Sequence, residues 1–296
     1  MQPRRLHHKT DLETLWCRRP ACKCKCQLNS KGAKCGSIWG VSSADTLNVY
    51  RSTGPPVEDL AREAWLMERA AAGEASLFLT SWEGPVVVLG YAQKPTEADL
   101  EWCRSQGIPV LRRLTGGTGV VHRGDLGVGL ALPQEHPWAE GIIGLYGRFL
   151  EVLAPALAAV GAEVSRLAEP RRASRVRSPV CFLDQLSDTL VVDGRKAVGC
   201  AQTRRGGAVL IHAAVLLGLD AGLYARIFGI AEDEVVAGLA PAVRGGDPHD
   251  VGQAVAEELA KALNLEAIRR PLDPVPKRFL EPYNRPRWYP SRHSNV

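Results

Sequence analysis

The stretch that decides the fold runs from Leu111 to Leu132 and reads LRRLTGGTGVVHRGDLGVGLAL. It combines apolar, strand-forming runs with a loop that has no Cβ atom at three positions, Gly116, Gly117 and Gly119. Such a backbone lets a ligand lie directly against it and lets amide groups point at the ligand's polar end. The pattern is neither a Walker A motif nor a dinucleotide fingerprint. A glycine-rich turn without a ligand is the alternative interpretation.

Two arginines, Arg112 and Arg113, stand immediately upstream of this loop, and His122 follows it. Because successive side chains of a strand point to opposite faces, we expect one arginine to meet the ligand and the other to be structural. His122 offers a donor or an acceptor near neutral pH.

A second stretch runs from Thr189 to His212 and reads TLVVDGRKAVGCAQTRRGGAVLIH. Asp193-Gly194 joins two short apolar runs, which predicts a tight hairpin. Lys196 follows the turn. A strand lysine usually faces solvent, but the small residues Gly199 and Ala201 would leave room for a ligand beside it. There Lys196 would polarise an acyl carbonyl or hold a phosphate.

A lone cysteine, Cys181, precedes this hairpin in the segment SPVCF. A free thiol is a good nucleophile even when only a few per cent is thiolate, and a nearby cation such as Lys196 favours the thiolate. The alternative is a small buried hydrophobe, as free cysteines often are. We place Cys103 in a helix core and Cys200 further along the strand that carries Lys196.

The composition, 296 residues of which 45% are hydrophobic, permits a full core. We predict a Cys-rich, basic and disordered extension over residues 1–46, a catalytic domain over 47–270 and a Pro/Arg-rich tail over 271–296. The chain has no long uninterrupted apolar run and no signal-peptide pattern, so we expect a cytoplasmic protein without a membrane span. Residues 1–35 carry a net +7, which leaves a net −2 on the rest and argues against nucleic-acid binding by the main domain.

Five of the eight cysteines lie in the extension, at Cys17, Cys22, Cys24, Cys26 and Cys35. Their spacing lacks the paired C-x2-C knuckles of a zinc site, so we assign no metal site, although metal binding stays open as an alternative.

The remaining pattern alternates helices and strands. We predict a strand at 47–52, a helix over 56–72, a hairpin between SLFLTSW and PVVVLGYAQ, and a helix capped by Thr96. Further helices are predicted at about 141–160, in LYARIFGIAEDEVVAGL and in HDVGQAVAEELAKALNLE. The prediction is a single α+β domain around a mixed, largely antiparallel sheet with flanking helices.

Taken together, RRLTGGTGVVHRGDLG and CFLDQLSDTLVVDGRKAVGCAQTRRGGAVLIHAAVLL resemble the lipoate-protein ligase and octanoyltransferase superfamily, which includes biotin-protein ligases. The resemblance extends over about residues 47–268 and includes the W-x-x-P-x-V-x-x-G strand entry at Trp82 and Gln93 beyond it. It implies a biotin/lipoate-ligase-like fold.

By position, the resemblance implies that Lys196 contacts the acyl carbonyl and that other residues line the acyl pocket. The implied lining residues are Arg112, Arg113, Thr115, Gly116, Gly117, Thr118, Gly119, His122, Gly199, Ala201 and His212. The chain departs from the family at Thr118, where a third glycine is usual, at Asp125, where asparagine is common, and at His212-Ala213-Ala214, which replaces H-G-S. These differences put the identity of the substrate in doubt more than the family.

The position of Cys181 resembles that of the octanoyltransferases that form an acyl-cysteine, which implies transfer of an octanoyl or lipoyl group from a carrier-protein thioester without a cofactor. The expected partners are acyl carrier protein and a lipoyl-domain protein, either glycine cleavage H protein or a 2-oxoacid dehydrogenase E2. The alternatives are an ATP- and Mg²⁺-dependent lipoate ligase working through lipoyl-AMP, and a non-catalytic lipoyl-binding relative. The arginine-rich segment 166–177 is our candidate docking surface.

Overall fold

A computed structural model describes residues 45–169, 171–172, 178–185 and 189–292; the predicted extension falls almost wholly outside these ranges. The helices, in chain order, are α1 (Pro56–Ala71), α2 (Leu100–Ser105), α3 (Ile142–Ala159), α4 (Ala221–Phe228), α5 (Glu232–Gly238), α6 (Pro248–Leu263) and α7 (Lys277–Leu280). The strands are β1 (Thr46–Ser52), β2 (Ala75–Thr80), β3 (Val86–Leu89), β4 (Val110–Arg112), β5 (Val120–His122), β6 (Leu126–Pro133), β7 (Ser165–Arg166), β8 (Arg171–Arg172), β9 (Asp184–Gln185), β10 (Leu190–Val192), β11 (Arg195–Lys196), β12 (Val198–Arg205), β13 (Ala208–Val215) and β14 (Glu266–Arg269).

The main sheet has six strands in the order β12-β13-β6-β2-β1-β14. β1 runs parallel to both of its neighbours, β2 and β14, whereas the other three neighbouring pairs are antiparallel. The predicted mixed, largely antiparallel sheet of an α+β domain is therefore confirmed.

Helices cover both faces of this sheet. Because successive side chains of a strand point to opposite faces, neighbouring residues pack against different helices. Leu77 packs in one cluster with the apolar residues of α3 and α6, while its neighbour Phe78 packs with Leu66 of α1 on the opposite face. By length and composition α3 could cross a membrane. In this fold one face of α3, with Leu145 and Phe149, is buried in the main cluster, while Ile142 and Ile143 at its start are exposed.

A smaller three-stranded sheet, in the order β4-β3-β5, lies apart from the main sheet in the strand pairing. The predicted hairpin between β2 and β3 is wrong, because β2 pairs with β1 and β6 and β3 pairs with β4 and β5. The Glu83-Gly84-Pro85 signal marks a bend between two strands, and the chain passes there from one sheet to another.

Two further helix predictions need correction. Thr96 lies in a short 3₁₀ turn, and the cap of α2 is Asp99, whose carboxylate accepts the Trp102 amide at 2.9 Å. The single helix predicted over 223–239 is divided into α4 and α5 at Gly229, which adopts a left-handed φ of 64°. Glycine ends a helix readily in this conformation because it lacks a Cβ.

The Asp193-Gly194 turn is confirmed as the hairpin between β10 and β11, and both of its residues have positive φ. After Lys196 the chain leaves the three-stranded sheet β11-β10-β7 and enters the main sheet as β12. Lys196 and Cys200 therefore belong to different strands, which corrects the expectation that they share one.

The segment after residue 270 packs onto the domain as far as residue 292. Ser291 Oγ accepts the Val110 amide at 2.8 Å, and the Trp288 carbonyl accepts the Arg112 amide at 3.0 Å. Tyr283 is 3% exposed and its hydroxyl donates to the Arg112 carbonyl at 3.3 Å. The segment thus completes the edge of β4, the strand that leads into the glycine-bearing loop.

Candidate active site

A pocket opens between α1, the main sheet and the strands β3 and β5, with an empty volume of about 590 Å³ that includes open solvent at its mouth. Most of the wall is apolar or glycine, which suits a hydrocarbon chain. The lining residues are Asp59, Leu60, Glu63, Phe78, Thr80, Trp82, Val88, Arg113, Val120, His122, Gly127, Val128, Gly129, Cys181, Gly199, Cys200, Ala201, His212, Ala213 and Ala214.

The pocket brings together six of the residues that the sequence singled out, from four separate parts of the chain. These six are Arg113, His122, Cys181, Gly199, Ala201 and His212. The other predicted site residues, which do not line this pocket, are Arg112, Thr115, Gly116, Gly117, Thr118, Gly119 and Lys196. Two of these contact residues of the wall: Thr115 Oγ1 lies 2.7 Å from His212 Nε2, and Lys196 donates to the Cys181 carbonyl.

We call residues 115–119 the glycine loop, and Arg113 is the residue around which it folds. The guanidinium donates to the Gly116 carbonyl at 2.7 Å, the Thr118 carbonyl at 3.0 Å and the Val88 carbonyl at 3.1 Å. Gly117 has a φ of 92°, and a Cβ there would lie 2.5 Å from Arg113 Nη2. The loop therefore needs glycine at 117 both for its backbone conformation and for the guanidinium beside it.

Arg112 serves a different segment. Its Nη1 donates to the carbonyls of Gly90, Tyr91 and Gln93, and its Nε donates to the Arg287 carbonyl at 2.8 Å. Burial and the nearby Arg287 lower the pKa of Arg112. The expected division between the two arginines is seen in position, since Arg113 lines the pocket and Arg112 does not, yet both guanidinium groups hold backbone carbonyls.

Cys181 lies at the pocket wall, partly exposed. Its amide donates to the Gly119 carbonyl at 2.9 Å, and the Gly119 amide donates to the Pro179 carbonyl at 2.8 Å. The side chain of Gln93 also reaches this segment, donating to the Pro179 carbonyl at 2.9 Å. The thiol thus stands on a backbone that is pinned to the end of the glycine loop.

Lys196 approaches the same segment from the other side and is only 5% exposed, so it does not face solvent. Its ammonium donates to the carbonyl of Cys181 at 3.0 Å and to that of Asp184 at 3.1 Å. It also lies 5.4 Å from the centre of the Phe182 ring, within the range of a cation–π contact. In this arrangement Lys196 contacts the backbone that carries the thiol.

The space beside Gly199 is occupied. A Cβ at this position would lie 2.9 Å from Phe182 Cζ, and Phe182 is fully buried. The expectation that small residues leave room for a ligand next to Lys196 is therefore corrected, because the Phe182 ring fills it. Gly199 and Ala201 still line the pocket.

Sequence reasoning missed two acidic residues of α1 that line the pocket, Asp59 and Glu63. Glu63 Oε1 lies 3.1 Å from His212 Nδ1, and His212 Nε2 lies 2.7 Å from Thr115 Oγ1. Arg113 Nε donates to the same hydroxyl at 2.9 Å. The signal available in the sequence was the four-residue spacing of Asp59 and Glu63, which places both on the helix face that buries Leu60 and Leu66.

Asp59 is 2% exposed and accepts a hydrogen bond from Trp82 Nε1 at 2.7 Å. Burial raises the pKa of this carboxyl, and the hydrogen bonds from Ser52 and Trp82 oppose the rise. Because a buried polar group is costly without a hydrogen bond, the donor Trp82 Nε1 stabilises this carboxyl in the apolar wall.

His122 is fixed by Asp125, with Nδ1 and Oδ2 2.8 Å apart, and its ring meets Trp82 edge-on at 5.2 Å. Asp125, which stands where asparagine is common in the family, thus pairs directly with the pocket residue His122. Ala213 and Ala214 also lie in the wall, whereas Thr118 does not.

The two other cysteines in the described ranges differ in access, since Cys103 is fully buried whereas Cys200 is partly exposed and lines the pocket. Burial raises the pKa of Cys200 to about 12 and that of Cys103 to about 11. The helical core placement of Cys103 is confirmed. Across the described residues, no three His, Cys, Asp or Glu side chains cluster as metal ligands. The cysteines of the extension and half of segment 166–177, residues 170 and 173–177, lie outside those ranges.

Comparison with known proteins places this fold among lipoate-protein ligases. A crystal structure of lipoate-protein ligase A bound with ATP superposes with a TM-score of 0.65 at 18% identity, covering 81% of this chain and 93% of that one. The bipartite lipoate protein ligase of Thermoplasma acidophilum, described together with its E2 lipoyl domain, gives 0.64 at 18% identity, covering 85% and 99%.

The Lipoyl protein ligase A/B catalytic domain model matches residues 55–260, and the chain belongs to this family. Curated relatives include octanoyltransferase LipM of Moorella thermoacetica, 36% identical over 53% of this chain and 59% of that protein. LipM of Geobacillus kaustophilus is 31% identical over 61% and 68%. The resemblance inferred from the two glycine-bearing stretches is confirmed at the level of the family.

Proposed function

We propose that this chain is an acyltransferase that moves an octanoyl or lipoyl group from a carrier-protein thioester, through an acyl-cysteine at Cys181, to a lysine of a lipoyl domain. The observation that carries the proposal is the placement of a partly exposed thiol at the wall of an apolar pocket, on a backbone pinned from two sides. The relatives named octanoyltransferase support it.

The chemistry needs two acyl transfers. The Cys181 thiolate attacks the thioester carbonyl, and the tetrahedral intermediate collapses with loss of the carrier thiol. The amine of the acceptor lysine then attacks the acyl-cysteine carbonyl, giving the amide, while the amine proton is lost and the Cys181 thiol is regenerated. Each intermediate carries an oxyanion, for which backbone amides near the glycine loop are the candidate donors.

No cofactor enters this scheme, whereas the alternative, a ligase acting through lipoyl-AMP, would use ATP and Mg²⁺. In that alternative Arg112 or Arg113, together with Lys196, would bind the adenylate phosphate. All three donate to backbone carbonyls in this fold. Phosphate binding would compete with those contacts, which favours the transferase.

One assay separates the candidates. The protein is incubated with an apo lipoyl domain and either octanoyl acyl carrier protein or free lipoate plus ATP, and the products are weighed. We expect transfer from the thioester that is lost in Cys181→Ala. Transfer that survives this substitution would refute the acyl-cysteine route, ATP-dependent attachment of the free acid would support the ligase, and inertness with both would support a non-catalytic relative.

A further inference from the structure

We propose that Arg113 is a positioning residue for Cys181, and that the hydrogen-bonded chain Glu63–His212–Thr115 fixes Arg113 in the orientation this requires. The inference rests on the proposed function and adds to it the residues that set the place of the thiol. Its evidence is a continuous set of contacts from α1 to the nucleophile.

The contacts begin on opposite sides of the pocket. Glu63 on α1 pairs with His212 on β13, and His212 pairs with the hydroxyl of Thr115 at the start of the glycine loop. Both ring nitrogens of His212 are engaged, Nδ1 lying 3.1 Å from the Glu63 carboxylate and Nε2 2.7 Å from Thr115 Oγ1, and Thr115 Oγ1 accepts from Arg113 Nε. His212 therefore has no nitrogen left for the reacting groups.

Arg113 converts this chain into the shape of the loop. With Nε held by Thr115, its two terminal nitrogens reach the carbonyls of Val88, Gly116 and Thr118. A guanidinium is a rigid planar fork, so fixing one edge fixes the directions of the others. The loop backbone from 116 to 118 is therefore bent around one cation.

The loop then sets the thiol. Gly119 exchanges backbone hydrogen bonds with Pro179 and Cys181. The position that a Cβ of Gly117 would occupy lies 2.5 Å from Arg113 Nη2 and 3.6 Å from Cys181 Sγ. The guanidinium and the sulfur thus flank the same point, and a shift of Arg113 moves the surface against which Sγ lies.

Substitution of Thr115 tests the proposal without removing Arg113. Thr115→Val deletes the hydroxyl at nearly constant shape, and Thr115→Ser keeps it. Two rates are measured: alkylation of Cys181 by iodoacetamide, followed by peptide mass, and acyl-cysteine formation from octanoyl carrier protein. Thr203→Val is the matched control, because Thr203 is a half-buried residue of β12 outside the pocket wall.

Because misplacement of a reacting group by about 1 Å costs up to ~100-fold in rate, we expect Thr115→Val to slow both reactions about tenfold or more. The KM for the octanoyl donor should stay within about twofold, since the pocket wall is retained. Thr115→Ser should restore both rates to within about twofold, and Thr203→Val should leave them unchanged.

Equal rates in Thr115→Val and Thr115→Ser would overturn the proposal, as would a loss expressed in KM alone. Melting temperatures of all variants show whether a slow variant has simply lost its fold. If the wild-type protein forms no acyl-cysteine, the proposed function fails, but the alkylation rates still decide whether Thr115 positions the thiol.

Discussion

At the residue scale, the charged side chains of the site fall into two groups, those that donate to backbone carbonyls and those that are held by neighbouring side chains. Arg113 and Lys196 hold the backbone on either side of Cys181, while Asp59 and Glu63 are held by donors on neighbouring elements. Buried charges are stable only when paired or hydrogen-bonded. The cations expected to touch substrate are therefore first of all supports for the chain that carries the thiol.

The raised pKa of Asp59 predicts how one of these groups affects stability with pH. Because burial raises the folded-state pKa, this carboxyl contributes most below its unfolded value of about 4 and loses the contribution as pH rises through the folded value. Asp59→Asn keeps an acceptor for Trp82 and cannot ionise. We expect the free energy of unfolding of Asp59→Asn, relative to wild type, to increase between about pH 4 and pH 7.

Urea unfolding monitored by tryptophan fluorescence at several pH values measures this difference. Glu140→Gln is the control, because it changes an exposed carboxyl. A difference for Asp59→Asn that is constant with pH, or that decreases as pH rises, would contradict the assignment.

At the element scale, the segment 178–185 is held between the glycine loop and the Lys196 hairpin, and Phe182 locks it against β12. Gly199→Ala would place a Cβ 2.9 Å from the ring of the fully buried Phe182. Overpacking of this kind costs about 1–3 kcal/mol, and moving Phe182 also moves its neighbour Cys181. We expect a lower free energy of unfolding and slower alkylation of Cys181.

Gly218→Ala is the matched control, since a Cβ there meets nothing within 4 Å. The two variants are compared by denaturant unfolding and by the iodoacetamide reaction. If Gly199→Ala is as stable and as reactive as Gly218→Ala, Phe182 does not lock this segment.

The same elements show how much of the strand pairing can be predicted from the sequence. The Asp193-Gly194 hairpin was predictable because its turn chemistry is local. The pairing of β2 was not, because the residues Glu83-Gly84-Pro85 mark a bend without identifying a pairing partner, and β2 pairs with β1 and β6 rather than with β3. Pairing across such distances depends on which faces the whole chain buries.

The candidate site divides in the same way. The two glycine-bearing stretches and Cys181 were identifiable from their residues and their resemblance to a family. The contacts of Arg113 with backbone carbonyls, and the filling of the space beside Gly199 by Phe182, depend on tertiary packing that sequence patterns do not encode. Asp59 and Glu63 could have been found from their four-residue spacing on the buried face of α1.

At the scale of the whole molecule, the C-terminal segment bears on the site although it lies more than 150 residues beyond the glycine loop. It satisfies the amides of β4, and β4 leads directly to Arg113. Ser291→Ala leaves the buried Val110 amide without its acceptor, and an unsatisfied buried donor costs about 1–3 kcal/mol. We expect a lower melting temperature for Ser291→Ala.

Ser105→Ala is the control for this change, because the Ser105 hydroxyl is exposed on α2. Differential scanning calorimetry of both variants tests the role of the segment. Equal melting temperatures would show that the segment does not stabilise β4.

We propose that the acyl group passes through Cys181, and capture of the acyl-cysteine intermediate tests this step. The full chain is mixed with octanoyl acyl carrier protein in the absence of acceptor, quenched in acid and analysed by intact mass and peptide mapping. We expect a mass increase of one octanoyl group, located on the peptide that contains Cys181 and absent from Cys181→Ala. An octanoyl group on another residue, or full transfer to the acceptor domain by Cys181→Ala, would contradict it.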